Sequence, residues 1–419
     1  MLTLAAGILT GIIAAGTILA ILIRPRQWPE WIWAVAGASL MLIFGLISPG
    51  RARLAAGQGT DVYLFLTGMM LLSELARREG VFDWLAARAG AAAHGSPRRL
   101  FALVYLVGIL VTVFLSNDAT AVVLTPAVLA AARRARVAPL PYLFACAFIA
   151  NAASFVLPIS NPANLVVYGA DLPRLAVWLK LFALPSALAI ATTYAVLYWI
   201  WRPSLKAARL APDASSALPL TRGGAIAAWG LAGAACVLIA SSALGRPLGW
   251  PALLAALCLI AFRPRNVPHL LRGASWGVIP LVAGLFVIVD SLRSTGALAT
   301  LSALLASLAR LSPFAGSLSA SFGVAALSNL INNLPSGLLT ADVLRTSSLP
   351  AYLRHALLIG VDLGPNLSVT GSLATILWLI ALRRDGERVS AWSFLKAGAL
   401  VMPPALFLAT AALVFSAGR

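Results

Sequence analysis

The chain has 419 residues, of which 61% are hydrophobic and 11% are charged, whereas a water-soluble protein carries about 25% charged residues. A soluble fold could not bury so much apolar surface, so the composition indicates an integral membrane protein. The net charge of +18 would suggest nucleic-acid binding in a soluble protein, but here the basic residues lie in short loops between long apolar segments, as membrane topology requires.

The first half of the chain contains five predicted membrane spans. A helix needs about 20 apolar residues to cross about 30 Å of hydrocarbon. The opening segment has no basic region before it and runs directly into Arg24, so we interpret it as a retained helix and not as a signal peptide. The five spans lie near residues 2–23, 30–48, 60–76, 140–169 and 176–201.

Residues 100–136, between the third and fourth spans, are predicted to form a re-entrant hairpin. An apolar arm of about a dozen residues precedes the polar run 116–120 and a second short arm follows it, and arms of that length cannot cross the bilayer. Non-helical backbone at membrane depth is tolerated only where it is packed in protein or lines an aqueous cavity. The tip therefore predicts part of a solute site, although helix capping alone is the plainer explanation of its Ser and Asn residues. Residues 81–93, before the hairpin, read as an amphipathic helix on the membrane surface.

The fourth span, 140–169, is predicted to be a broken helix. Pro158 and Pro162 interrupt its hydrogen-bond ladder among the polar residues 151–164, which leaves backbone groups free to bind a solute. After the fifth span, residues 202–222 form a basic, Pro/Ser-rich stretch. We predict that this stretch is a cytoplasmic linker between an N-terminal repeat, 1–201, and a C-terminal repeat, 223–419.

The second half repeats the order of the first. A surface helix is predicted at 297–311 and a hairpin at 312–346, and the span at 352–382 is predicted to be broken at Gly364-Pro365. The remaining spans lie near 225–243, 247–262, 276–292 and 392–415.

Three sequence matches in the same order indicate an internal duplication. The run 68–80 aligns with 284–296 at an offset of 216 residues, Ser116-Asn117 aligns with Ser328-Asn329 at 212, and the broken spans align at about 211. Each half has an odd number of crossings, so the second copy enters the membrane inverted. The predicted fold is an all-α polytopic membrane protein built as an inverted-topology repeat, with about ten transmembrane helices, two re-entrant hairpins and two broken helices.

The distribution of basic residues predicts the orientation. With both termini outside and both hairpins returning to their own side, roughly two thirds of the 31 lysines and arginines face the inside. Converting either hairpin into a full crossing would invert every later loop and remove this bias. Both termini are therefore predicted to be periplasmic.

The four polar clusters predict the chemistry of the site. They contain amides and hydroxyls but no Lys or Arg, which suits a small neutral hydroxylated solute, while sodium coupling stays open. Asp118 and Asp362 are the predicted proton-coupling acids, because an ionisable residue at membrane depth is a functional candidate, with a fixed hydrogen-bonding role as the alternative. For Glu74 and Asp290, which lie near the ends of their spans, the favoured role is that of a helix cap or a surface ion-pair partner. The predicted substrate-binding residues are Ser116, Asn117, Thr120, Ser160, Asn161, Asn164, Ser328, Asn329, Asn332, Asn333, Asn366, Thr370 and Ser372.

Cysteine and histidine usage predicts neither a metal site nor a cofactor. Cys146, Cys236 and Cys258 lie in separate apolar segments without paired spacing. The three histidines fall in loops or at span ends, without acids at ligand spacing. No disulfide framework or enzymatic site is predicted, and a thiolate trap for a metalloid is disfavoured, since covalent capture would slow release.

The motifs 116–120, 327–335, 361–366 and 370–378 resemble those of the arsenite/antimonite efflux permeases, the arsenical pump membrane protein family within the ion transporter superfamily. The resemblance covers nearly the whole chain, and the last two motifs are the most specific. It implies a multi-pass protein of the bacterial inner membrane that exports trivalent arsenic or antimony hydroxides in exchange for protons. It further implies that a soluble arsenical-pump ATPase can dock from the cytoplasm, and assembly into a homodimer is an additional expectation. The alternatives are a sodium/proton antiporter and a passive metalloid-hydroxide permease on the same fold.

Overall fold

The computed structural model describes residues 2–207, 219–262, 267–347 and 349–417. All regular elements in these ranges are helices, which agrees with the predicted all-α class. The first ten α-helices are α1 Leu2–Ile23, α2 Glu30–Ile43, α3 Pro49–Gly57, α4 Thr60–Arg78, α5 Val81–Ala92, α6 Pro97–Phe114, α7 Thr125–Arg134, α8 Leu140–Ala152, α9 Pro162–Tyr168 and α10 Leu175–Ala207. The others are α11 Arg222–Ala243, α12 Gly249–Ala261, α13 Val267–Gly273, α14 Val278–Leu292, α15 Ala297–Ala309, α16 Pro313–Ile331, α17 Asn333–Thr346, α18 Ala351–Leu363, α19 Leu373–Arg384 and α20 Ala391–Ala417.

Seven of the described helices are long and apolar enough to cross a membrane. They are α1, α6, α10, α11, α14, α16 and α20. The remaining predicted spans correspond to the shorter helices α2 and α12, to α4, and to the pairs α8–α9 and α18–α19. The predicted linker falls largely outside the described residues, since α10 continues to Ala207 and residues 208–218 are not described.

The arms of the two predicted hairpins differ in length from the expectation. The first arms, α6 and α16, have 18 and 19 residues, so the predicted dozen is wrong for both. Helix α6 is longer because it already begins at Pro97, where the Ser96 side chain caps it, and it ends at Phe114, before the polar run. Helix α16 is longer because it continues through Ser328 and Asn329, and the Asn329 side chain donates to the carbonyls of Ala325 and Gly364. The second arms, α7 and α17, have 10 and 14 residues.

Both helix pairs nevertheless return to the side from which they start. The Tyr142 hydroxyl, just after α7, donates to the carbonyl of Pro97 at the start of α6, at 3.3 Å. In the second half, the hydroxyl of Tyr352 donates at 3.4 Å to the carbonyl of Ala309, which lies just before α16. The mouth of each hairpin is therefore closed by a tyrosine that follows its second arm.

Helices that occupy matching places in the two halves follow the same order, with α1 to α10 corresponding to α11 to α20. The short helices α3 and α13, which the sequence analysis did not predict, fit this correspondence. Helices α4 and α14 run in opposite directions. Helix α4 begins near Gly249, which binds the Asp61 carboxylate, and ends near Gly273, whereas α14 begins beside Gly273 and ends near Asp342.

Two faces of the molecule can be distinguished by their side chains. Arg77, Arg133 and Arg384 lie at one end of the bundle, which we call the basic face. Gln58 and Arg345, joined at 3.0 Å, lie at the other end, which we call the opposite face. Between them, α8 is buried almost throughout, whereas apolar side chains such as those of Ile12 and Trp229 point outward, as expected of a lipid-facing surface.

Candidate substrate site

The tip of the first hairpin uses most of its hydroxyls and amides to hold its own shape. Ser116 Oγ accepts a hydrogen bond from the Ala119 amide at 3.2 Å, and the Thr120 and Thr112 hydroxyls are 2.8 Å apart. Asn117 Oδ1 accepts from the amide of Asp118 at 2.9 Å. The Asp118 carboxyl group has no hydrogen-bond partner among the described residues, so it is the group at this tip that remains available to a solute.

The tip of the second hairpin is tied to the second broken helix. Asn332 has a φ of 76° and a ψ of 153°, a combination that is rare for any residue other than Gly, and its Nδ2 donates to the Thr370 carbonyl at 3.3 Å. Asn329 Nδ2 donates to the carbonyl of Gly364 at 2.9 Å, and its Oδ1 accepts from the hydroxyl of Ser368 at 2.6 Å. Asn329 and Asn332 therefore fix the position of the tip, whereas no hydrogen bond of the Asn333 side chain is found within the described ranges.

At the break of the first broken helix, the Asn161 side chain lines the crevice, whereas the neighbouring polar side chains are used within the break. Asn161 Oδ1 accepts from the amide of Ala163 at 3.0 Å and so caps α9, because Pro162 starts a new helix there. Asn164 Nδ2 donates to the Ser154 carbonyl at 2.9 Å, and Ser160 Oγ donates to the carbonyl of Val113 at 3.1 Å. Asn164 and Ser160 are thus occupied by the backbone of the break.

The second broken helix locks the two halves together. Asn366 Nδ2 donates to the carbonyl of Phe148 at 3.0 Å, and its Oδ1 accepts from Asn151 Nδ2 at 3.1 Å, so this fully buried amide joins the second half to α8. Ser372 Oγ accepts from the Thr375 amide at 3.1 Å and caps α19. The Thr370 hydroxyl donates to the carbonyl of Asn329.

All four polar clusters meet at one narrow crevice. Its volume is about 10 Å³, which is room for about one water molecule. Helices α17 and α19 begin at this crevice, and the positive ends of their dipoles favour an oxygen-rich or anionic solute. Its polar lining residues are Asn117, Asp118, Asn161, Asn333 and Ser372, and its apolar ones are Leu66, Pro162, Val278, Leu334, Leu373 and Ala374.

A cavity of about 380 Å³, which we call the vestibule, extends from the crevice toward the basic face. Leu66, Asp118, Pro162 and Val278 border both spaces, so a solute in the vestibule meets the Asp118 tip first. The Arg384 guanidinium lines the vestibule and has no acidic or hydrogen-bonding partner in the described part of the chain.

Glu74 and Asp290 form ion pairs, as expected, but both acids are buried and do not lie on the surface. On the vestibule side, Glu74 is 6% exposed and accepts hydrogen bonds from Arg77 and Arg78. On the opposite face, Asp290 is 7% exposed and pairs with Arg51 at 2.8 Å and with Arg293 at 3.2 Å.

Only the opposite-face acid belongs to a network that holds a hairpin. Arg293 also binds the buried carboxylate of Asp342 on α17, with Nε 2.8 Å from Oδ2. Arg51, Asp290, Arg293 and Asp342 form what we call the outer ion-pair cluster. It ties the second hairpin to α3 and α14 on the side of the opposite face.

The second predicted proton-coupling acid lies behind the crevice, not on its wall. Asp362 is fully buried, its Oδ1 accepts from Asn161 Nδ2 at 2.8 Å, and its Oδ2 has no hydrogen-bond partner among the described residues. The structure thus places Asp118 at the solute path and Asp362 one side chain away from it.

The predicted residues therefore divide into two groups. Asn117, Asn161, Asn333 and Ser372 line the crevice, and Ser116 lines the vestibule. Seven of the others have hydrogen bonds within the frame, and the Ser328 hydroxyl is buried without a partner in the described ranges. These eight are Thr120, Ser160, Asn164, Ser328, Asn329, Asn332, Asn366 and Thr370.

Sequence reasoning missed the apolar walls and the charged vestibule. Leu66 and Val278 belong to ordinary apolar spans and carry no signal that separates them from lipid-facing residues. Arg384 was counted only as a topology signal, although it lines the vestibule.

Comparison with known proteins gives consistent matches over almost the whole chain. A family profile described as "Citrate transporter" matches residues 17–362. The arsenical pump membrane protein of Escherichia coli strain K12 is 29% identical, with 97% of this chain and 98% of that protein covered. The arsenical pump membrane protein of Yersinia enterocolitica is 30% identical over the same shares. Among solved structures, the YdaH transporter of Alcanivorax borkumensis shares the fold, with a TM-score of 0.56 at 16% identity over 89% of this chain and 90% of that one.

Proposed function

Since the chain belongs to the citrate-transporter family together with the arsenical pump membrane proteins, and is a multi-pass secondary transporter, we propose that it exports arsenite and antimonite as neutral trihydroxides in exchange for protons. The observation that carries this proposal is the crevice, where four polar clusters meet. Its wall offers three amides and one hydroxyl but no Lys or Arg. Amides and hydroxyls donate and accept hydrogen bonds at the same time, as the hydroxyl groups of a neutral trihydroxide require.

The binding step requires the crevice to widen. The free space holds about one water molecule, whereas a trihydroxide has four heavy atoms. Asn117 and Asn333 stand on the tips of the two hairpins, and Asn161 and Ser372 stand at the two helix breaks. A modest separation of these four elements would create the site, with the substrate entering past Asp118 from the vestibule.

The architecture that supports alternating access is an inverted-topology repeat with two re-entrant hairpins and two broken helices. Its support is the matching order of α1–α10 and α11–α20, the opposite directions of α4 and α14, and the tyrosine-closed mouths of the hairpins. Transporters with such repeats place the substrate near the bilayer midplane, where the repeats meet. The ten crossings, the repeat boundaries and the periplasmic termini of the sequence analysis are part of this proposal.

The conformation of the structure agrees with a state open to the cytoplasm. If the basic face is cytoplasmic, as the charge bias predicts, the vestibule admits substrate from the cytoplasm while the outer ion-pair cluster closes the periplasmic side. Export then requires hairpin α16–α17 to move away from α14. Protons that bind at Asp118 or Asp362 from the periplasm drive the return.

The proposal is tested by metalloid uptake into inverted vesicles that contain the full chain. We expect arsenite and antimonite to accumulate when the vesicle interior is acidified, and to equilibrate only when an uncoupler removes the proton gradient. Asp118→Asn should abolish the accumulation, whereas Asp83→Asn, at an exposed acid of α5, should leave it unchanged. Equilibration without accumulation under both conditions would instead identify a passive permease. Sodium-dependent changes of the interior pH in vesicles without metalloid would identify a sodium/proton antiporter.

A second candidate substrate class is the small organic anions. The convergence of two helix N-termini on the crevice and the free guanidinium of Arg384 in the vestibule favour it, and so does the description of the matching family. Competition decides between the two classes. Citrate in about a hundredfold excess over arsenite should not reduce uptake if the site accepts neutral hydroxides, and should abolish it if the site accepts carboxylates.

A further inference from the structure

The two acids assigned to coupling stand in different relations to the crevice. Asp118 borders it directly, but Asp362 has no exposed surface and does not line it. The side chain between Asp362 and the crevice is that of Asn161, which lines the crevice and donates to Asp362 Oδ1 at 2.8 Å. A change in the charge of Asp362 can therefore reach a bound substrate through the side-chain amide of Asn161.

The amide of Asn161 is held at both of its ends. Its Oδ1 accepts from the amide of Ala163, which caps α9, and its Nδ2 donates to Asp362. An amide cannot reverse without placing its NH₂ group against the Ala163 N–H, which is also a donor. The orientation of Asn161 is thus set by an N-cap on one side and a carboxylate on the other.

No other charged group faces the Asp362 carboxyl group in the described part of the chain. Helix α18 packs against α8, α9, α16, α17 and α20. Among the described residues, Asn161 is the hydrogen-bond donor to the carboxyl group, since the Ser154 hydroxyl donates to the carbonyl of Asn151, and α16 carries no titratable residue. The other four helices carry few titratable or charged residues, and most of these have partners elsewhere. They are Tyr142 and Cys146 on α8, Tyr168 on α9 (bound to His355), Asp342 and Arg345 on α17 (bound to Arg293 and Gln58) and Lys396 on α20 (over the Trp392 ring).

We infer that Asn161 is a positioning residue that makes protonation of Asp362 and binding of substrate oppose each other; this inference rests on the proposed function. When Asp362 is ionised, its charge-assisted hydrogen bond holds Asn161 in place, α9 stays capped, and the crevice keeps its donor. When a proton adds to Oδ2, the bond from Asn161 becomes a neutral one of about half the strength. The amide loosens and the substrate loses a preorganised contact. Because coupling between two sites is reciprocal, bound substrate also disfavours the proton, which is the relation that antiport needs.

The second half of the chain contains a natural comparison. Ser372 lies 211 residues after Asn161, caps α19 as Asn161 caps α9, and lines the same crevice. Its hydroxyl has the Thr375 hydroxyl as its partner at 2.8 Å and not a carboxylate. Ser372 therefore shares the cap and the crevice with Asn161 but lacks the link to an acid, which makes it a matched control.

The test measures arsenite binding to the purified full chain between about pH 5.5 and about pH 8. In the wild type, the Kd should rise about tenfold in total from the alkaline to the acid end of the range and then level off, because protonation weakens one hydrogen bond and does not exclude the substrate. Asn161→Ser keeps a good N-cap but removes the amide donor, so its Kd should vary less than about twofold over the range. Asp362→Asn should give the same flat profile, and the double variant should add nothing further. Ser372→Asn also keeps a cap; its absolute Kd should change because Ser372 lines the crevice, but its Kd should depend on pH as in the wild type.

Each outcome separates this inference from the function on which it rests. A wild-type slope in Asn161→Ser overturns the positioning role of Asn161 and leaves proton-coupled export in place. If that variant does not yield folded protein, Asn161→Thr, which also caps helices, replaces it under the same criterion. A wild-type protein that binds no arsenite at any pH overturns the proposed function and this inference with it.

Discussion

Neutralising Asp342 should open the transporter toward the opposite face. The Asp342 carboxylate has a side-chain exposure of 7%, and Arg293, at 31%, ties it to α14. Removing one partner of a fully buried ion pair costs about 3–5 kcal/mol. Here Arg293 keeps its contact with Asp290 at 3.2 Å and is partly solvated, so we expect Asp342→Asn to destabilise the closed arrangement by about 1–2 kcal/mol. That difference changes the ratio of the two conformations about 5- to 30-fold.

The change can be read from the labelling of a cysteine beneath the outer ion-pair cluster. Leu338, on α17, is 3% exposed and lies next to Asp342 and Arg345. In a background without the three native cysteines, Leu338→Cys should react with an impermeant maleimide from the opposite face about 5- to 30-fold faster when Asp342 is Asn.

The control for this experiment is Asp171→Asn. It removes the Asp171–Arg354 pair at 3.3 Å on the same face, where the carboxylate is 64% exposed and does not bind the second hairpin. An unchanged labelling rate in Asp342→Asn, or an equal rise in Asp171→Asn, would refute the role of the outer ion-pair cluster as a gate.

Three further predictions concern packing, assembly and the vestibule. Gly360→Ala should lower the free energy of unfolding by about 1–3 kcal/mol, because the new Cβ would overlap the carbonyl of Ser321. Gly323→Ala is the control and should be neutral, since its Cβ would have no atom within 4 Å. Thermal unfolding of the purified proteins measures both. Asn366→Ala should cost about 1–3 kcal/mol, since it removes the donor to the Phe148 carbonyl and leaves Asn151 Nδ2 with its long contact of 3.4 Å to Thr375 Oγ1. An unchanged unfolding temperature would contradict the inter-half lock. Arg384→Gln should leave arsenite uptake within about twofold of the wild type if the substrate is neutral, and a loss of tenfold or more would support an anionic substrate.

The membrane spans were predictable because hydropathy and length set them directly. A helix in lipid must satisfy its own backbone, so an apolar run of sufficient length has little alternative. The short helices α3 and α13 escaped prediction because each has fewer than ten residues and neither could cross a membrane. The first arm of the second hairpin was predicted too short because a polar residue reads as a helix end, although neighbouring carbonyls satisfy Asn329 inside α16. The first arm of the first hairpin was predicted too short because α6 begins at Pro97, before the predicted start of the hairpin.

The site was predictable as a set of segments but not as a set of available side chains. Asn164 and Asn117 look alike in the sequence, yet Asn164 donates to the carbonyl of Ser154 while Asn117 reaches the crevice. Likewise, Asp118 and Asp362 appear as equivalent acids of two repeats, but only the first borders the solute path. Which polar group is free depends on partners that lie far away along the chain, and periodicity contains no information about them.

The hydrogen bond between Asn151 and Asn366 has a consequence for the synthesis and membrane insertion of the chain. The two residues are 215 positions apart, and a ribosome that adds about 5–20 residues per second needs about 10–40 s to travel between them. During that interval α8 is already inserted with an uncompensated amide in its last turn, and the helix that will cover it does not yet exist. The nascent first half must therefore be sheltered by lipid headgroups, water or an insertion factor, and a chain released midway would present an exposed polar seam to membrane proteases.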